Sequence, residues 1–170
     1  MPVLKHDDFS VWDSLAICEY LQELYPDYSF WPKDAEARAV ARSVSAEMHS
    51  GFAALRHSMP MNCRRSFPGK GLNKQSSADI RRVMSIWREC REKYGAGGSL
   101  LFGEFTIADA MYAPVAQRFR TYDVQLDAVS DAYVSAILSL PEMQEWISSA
   151  KSEEEVLKEF EPYHLSLIHI

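Results

Sequence analysis

The sequence predicts an α+β protein that is mostly α: two short strands and a helix, followed by an all-helical domain. Three observations predict it. Short apolar runs flank a polar His6-Asp7-Asp8 turn near the start. The apolar spacing then lengthens from two residues to three and four at Ser14. From Asp34 onward every apolar stripe keeps the helical period.

Pro2 to Lys5 and Phe9 to Val11 read as the strands, the first opened by proline. Leu15, Cys18, Leu21 and Tyr25 lie on one helical face, and Pro26 ends the run. Residues 26–33 hold two prolines, Phe30 and Trp31, and read as a linker that packs against something. Asp34 to about Met59 carries Ala37, Val40, Ala41, Val44, Met48, Phe52 and Leu55, which predicts one long helix. Asn62 to Ser76 reads as a loop, and Ser77 to Tyr94 as a helix broken by Gly95 to Gly98. Another helix runs from Thr106 to about Tyr122 with Pro114 inside it. Shorter helices are expected around Tyr133 to Leu138, Met143 to Ala150 and Glu153 to Phe160. Pro141 suits a first turn, and Ser152-Glu153-Glu154-Glu155 reads as a capping box. Residues 165–170 follow no pattern of this kind and read as a non-native tail.

Composition narrows the function. The chain has 170 residues, a net charge of −6 and 47% hydrophobic content, ordinary for one globular unit. The acidic balance argues against nucleic acid, which rewards clustered Lys and Arg. No apolar run reaches the roughly 20 residues of a membrane helix, and no signal peptide is visible, so a cytoplasmic protein is expected. Three widely spaced cysteines suggest no disulfide framework. Cys18 and Cys90 fall on helical apolar faces. Cys63, beside Arg64 and Arg65, stands where a thiolate would be favoured, but it reads as a bystander rather than a nucleophile. No metal site is expected. His49 and His57 share a helical face but lie about 12 Å apart along the axis, too far for one ion.

The chemistry gathers at Asp13-Ser14, where the second strand gives way to a helix. Such a start presents unpaired N–H groups and the positive end of the macrodipole, a seat for a carboxylate. Asp and Ser there cap the helix. They can also hold a ligand, Ser14 taking a carboxylate and Asp13 an ammonium. The two roles use the same groups and are compatible. Thr106-Ile107-Ala108-Asp109 is a second capping pattern at a helix start.

Pro2-Val3-Leu4, a turn, a short strand, then Trp12-Asp13-Ser14-Leu15-Ala16-Ile17 opening a helix resembles the second half of the thioredoxin-like domain of the cytosolic glutathione S-transferase superfamily. The linker, the helical region and the Thr106/Asp109 box extend the resemblance from Met1 to Glu161. The resemblance implies a partial glutathione-binding domain over 1–25, a linker over 26–33 and a helical domain over 34–161. It implies a cis peptide at Pro2, with the backbone of Met1 pairing glutathione and the ligand's amino-acid end on Asp13 and Ser14. It assigns Thr106 and Asp109 a structural role. It further implies a detoxifying enzyme that attacks an electrophilic substrate with the thiol of glutathione, a co-substrate rather than a cofactor, and a homodimer. The thiol-activating residue would lie before Pro2, so no catalytic residue is expected in this chain, which would be inactive as it stands. Met48, Phe52 and Tyr112 are candidates for the second-substrate pocket, with core packing as the alternative. The other implied reading is a non-catalytic dimerisation or scaffold module.

Overall fold

The computed structural model describes residues 2–95, 97–157 and 161–163. Strands β1 (Val3–His6) and β2 (Phe9–Trp12) form an antiparallel hairpin in which Val3 faces Trp12 and Leu4 faces Val11. The alternation is plain: Leu4 and Val11 are half-buried, Val3 and Trp12 exposed. Helix α1 (Ser14–Leu24) follows without a loop. Six more helices complete the described chain: α2 (Ala35–Ser50), α3 (Ala53–Ser58), α4 (Lys74–Tyr94), α5 (Ile107–Thr121), α6 (Ala128–Leu138) and α7 (Pro141–Ser152).

The core lies among α2, α4, α5 and α6. Trp87 of α4 is sealed at its centre, with the rings of Tyr133, Phe119 and Tyr112 at 4.8, 5.2 and 5.9 Å. Such aromatic clusters gain from tilted contacts beyond the area they bury. Of α5, ten residues are buried, and Pro114 sits inside it without ending it. A proline removes one intrahelical N–H, so the carbonyl of Ala110 loses its usual partner.

The linker is fixed at both ends. Gln22 of α1 donates to Tyr28 O at 3.2 Å and accepts from Phe30 N at 3.1 Å. Ile107 N donates to Phe30 O at 2.9 Å. Trp31 is 4% exposed and donates through Nε1 to Glu19 of α1.

Three expectations about helices change. The stripe read as one helix to Met59 is two, α2 and α3, separated by Gly51 and Phe52. A Cβ on Gly51 would sit 2.6 Å from Glu47 O, and Phe52 turns the chain at φ 56 while burying its ring. Helix α4 starts three residues early, because Asn73 accepts from Gln75 N and Ser76 N while Ser76 Oγ takes Asn73 N. Residues 153–157 are not helical, and Ser152 ends α7 instead of capping a new helix. Arg64 takes the carbonyls of Glu153 and Glu155 at 2.7 and 3.1 Å, so they are not available to a helical ladder. The expectations for Met1 and for residues 165–170 fall outside the described residues.

Candidate functional site

Asp13 forms a corner between sheet and helix at φ 78, ψ 130, a backbone region that a residue with a Cβ enters only at a cost. The corner is held from several sides. Asp13 Oδ1 accepts from Leu15 N at 2.9 Å and Ala16 N at 3.3 Å, and its carbonyl accepts from Ile17 N at 2.9 Å. Its other carboxylate oxygen, Oδ2, lies 2.8 Å from Nε2 of His49 on α2. The capping role of Asp13 is therefore realised, and one oxygen is shared with the helical domain.

Ser14 is half-buried at the first position of α1. No described residue bonds its hydroxyl, and its N–H is one that a helix start leaves unpaired. Pro2 is exposed at the head of β1. The bond before it involves Met1 and lies outside the described residues; no cis peptide occurs within them.

Helix α1 meets α2 through polar contacts. Glu19 accepts from Trp31 Nε1 and Arg42 Nε, both at 3.3 Å, and the Arg42 guanidinium lies over the Trp31 ring at 5.5 Å. With Asp13–His49, these link the start and the middle of α1 to α2 and the linker. Between β1 and α1, His6 and Tyr20 share a hydrogen bond at 2.5 Å.

The three pocket candidates lie elsewhere. Met48, Phe52 and Tyr112 are all buried in the core, and the Tyr112 hydroxyl donates to Val44 O at 3.2 Å. Burial raises the Tyr112 hydroxyl far above its ordinary range. An apolar hollow of about 710 Å³ instead opens between α5 and α7, with Phe105, Pro114, Met143 and Trp146 in its walls.

Thr106 and Asp109 form the reciprocal box at the start of α5. Asp109 accepts from Leu101 N at 3.1 Å, Thr106 N at 2.9 Å and Thr106 Oγ1 at 3.0 Å, all buried. Burial raises its carboxyl above the usual range, and the Leu101 and Thr106 bonds partly offset the rise. The Tyr133 hydroxyl makes no hydrogen bond of good geometry among the described residues, yet it lies beside this carboxylate, and burial and that charge raise it.

The thiols are not activated. Burial pushes Cys63 up and outweighs the nearby Lys151 and Arg118 charges, so the neighbouring Arg64 and Arg65 do not make a thiolate of it. Burial likewise raises Cys18, and takes Cys90 up to about 12. Among the described residues no group of three His, Cys, Asp or Glu side chains could hold a metal ion. No helix among them is long and apolar enough to cross a membrane.

Sequence reasoning missed His49. It stands 36 positions from Asp13, and no local pattern joins a residue near the end of α2 to the start of α1.

A hairpin leads through a strained acidic corner into a helix that packs on a helical bundle, and solved structures share this mostly helical architecture. The profile of the glutathione S-transferase C-terminal domain matches residues 73–147. A probable maleylacetoacetate isomerase from Caenorhabditis elegans is 30% identical over 124 residues, covering 70% of this chain and 56% of that protein. The chain thus spans little more than half of that relative, and the same 56% of the rat maleylacetoacetate isomerase. A glutathione transferase homologue from Burkholderia, solved with bound glutathione, is 25% identical with a TM-score of 0.67 over 91% of this chain and 74% of that one. The profile over residues 73–147 and the homologue with a TM-score of 0.67 support membership of the glutathione S-transferase superfamily.

Proposed function

We propose that the Asp13–Ser14 corner holds the amino-acid end of glutathione in a protein that transfers or isomerises with that thiol. Ser14 would donate its hydroxyl and N–H to the ligand carboxylate, with the positive end of α1 behind them. Asp13 would take the ammonium on Oδ2, the oxygen that faces His49. Met1 and Pro2 would flank the peptide part of the ligand. The observation that carries this reading is the unclaimed Ser14 hydroxyl and amide beside a carboxylate held in a costly backbone conformation. The Burkholderia homologue with bound glutathione supports the choice of ligand. No residue of this chain is proposed as the thiol-activating donor.

The domain division at residues 25 and 34, the electrophilic second substrate, the homodimer, the role in detoxification and the cytoplasmic location belong to the same proposal. So does the absence of nucleic-acid and membrane partners. Met48, Phe52 and Tyr112, sealed in the core, could shape a second-substrate pocket only from behind its walls. A non-catalytic dimerisation or scaffold module is the second reading, and one observation favours it: His49 already occupies Asp13 Oδ2.

Calorimetric titration of the 170-residue chain with glutathione separates the two. The binding reading expects a saturable heat that Ser14→Ala and Asp13→Asn each weaken by about tenfold, the loss of roughly one charged hydrogen bond. A flat titration, or one that both substitutions leave unchanged, overturns it in favour of the scaffold.

A further inference from the structure

A second cavity, of about 790 Å³, lies where α3, the start of α4 and the end of α5 meet. Arg56, His57 and Arg118 are among its lining residues, together with Asn73, and among the described residues no Asp or Glu lines it. In a chain of net charge −6 that is an unusual gathering of one sign. Arg118 is half-buried, yet it donates only to neutral carbonyls: Nε to Met59 O at 2.9 Å and Nη1 to Pro114 O at 3.2 Å. Arg56 donates to His49 O at 3.2 Å. Among the described residues none of the three basic side chains enters an ion pair. A partly desolvated guanidinium without a counter-charge is unfavourable, and an entering anion would relieve it.

We propose that this cavity binds a small organic oxyanion, a carboxylate or phosphate monoester, at a site separate from the Asp13–Ser14 corner. Arg118 supplies the inner charge, its second amino nitrogen being left over from the two carbonyl bonds. Arg56 supplies the outer charge at the rim. A planar guanidinium matches the two oxygens of a carboxylate or phosphate. Pro60 and Leu72 line the same cavity and give an apolar body somewhere to rest. Burial and the charge of Arg56 both lower the proton affinity of Arg118, as expected of a cation that has company of its own sign and none of the other.

The test uses the intact chain titrated calorimetrically with benzoate, inorganic phosphate and, as the neutral control, benzyl alcohol. One site per chain is expected for benzoate or phosphate, with affinity on the order of millimolar or better and none for the alcohol. Benzoate alone binding assigns the site to aromatic carboxylates. Phosphate binding as tightly assigns it to the oxyanion head. Arg118→Met should weaken binding by about tenfold or more, and Arg56→Gln by a smaller factor. Arg56 is exposed, so its variant remains informative should the Arg118 variant not fold. Absence of saturation by either anion, or binding that both variants retain in full, overturns the proposal. Glutathione binding at the corner is read in a separate titration, so either site can fail without the other.

Discussion

The two ends of this molecule are held together by different forces. In the helical part, Trp87, Tyr112, Phe119 and Tyr133 are sealed from water, and the apolar effect carries the fold. In residues 2–24 no residue of α1 is fully buried, and the hairpin leaves Val3, Phe9 and Trp12 largely exposed. That end is attached by polar links: Asp13 to His49, Glu19 to Arg42 and Trp31, Gln22 to the linker. A cluster of solvent-accessible polar links contributes far less than a sealed core. The comparison teaches that the Asp13 corner sits on the weaker half and borrows part of its shape from the stronger one.

The largest way to break the contrast is at the core. Trp87→Ala should cost about 3–5 kcal/mol and lower the urea midpoint of the whole helical part. Next comes Asp109→Ala, which leaves the buried Leu101 and Thr106 donors without an acceptor. It should cost roughly 2–3 kcal/mol in the same measurement. Asp109 also leaves a signature in pH. Its folded carboxyl is raised, so the folded state keeps a proton that the unfolded chain has lost above about 3.9. Its contribution is fully present below that value and declines as pH climbs through the folded value. Urea midpoints measured across that window should slope downward in the native chain and flatten in Asp109→Asn. The smallest effect belongs to the hairpin: Val11→Ala, on the half-buried face, should cost under about 1 kcal/mol. Native-state hydrogen exchange should find the amides of β1 and β2 opening well before those of α4 and α5. Equal protection at the two ends would dissolve the contrast.

What the sequence made legible was local or periodic. The strands, the turn and the helix starting at Ser14 follow from alternation and spacing within a few residues. The Thr106/Asp109 box and the cap at Asp13 are pairs at most three apart, so their chemistry is written in one window. The break at Gly51 escaped because Phe52 and Leu55 resume the apolar face of α2, and period alone carries no sign of a turn. The stretch after Ser152 misled for the opposite reason. Its Ser-Glu-Glu-Glu pattern suits a helix start, but Val156 and Leu157 stand exposed, and Arg64 claims the carbonyls of Glu153 and Glu155. His49 and the gathering of Arg56, His57 and Arg118 depend on tertiary approach, which no single window contains.

Backbone tension at Asp13 has a consequence of its own. Holding a residue with a side chain at φ 78 stores on the order of 1–3 kcal/mol. The imidazole across the gap and the amides of the next turn together restrain it. Were the hairpin to swing away from α2, that tension would discharge into ordinary extended chain, and the return stroke would have to wind it again. The corner is therefore restrained from within by its own cap and from outside by the one imidazole of α2.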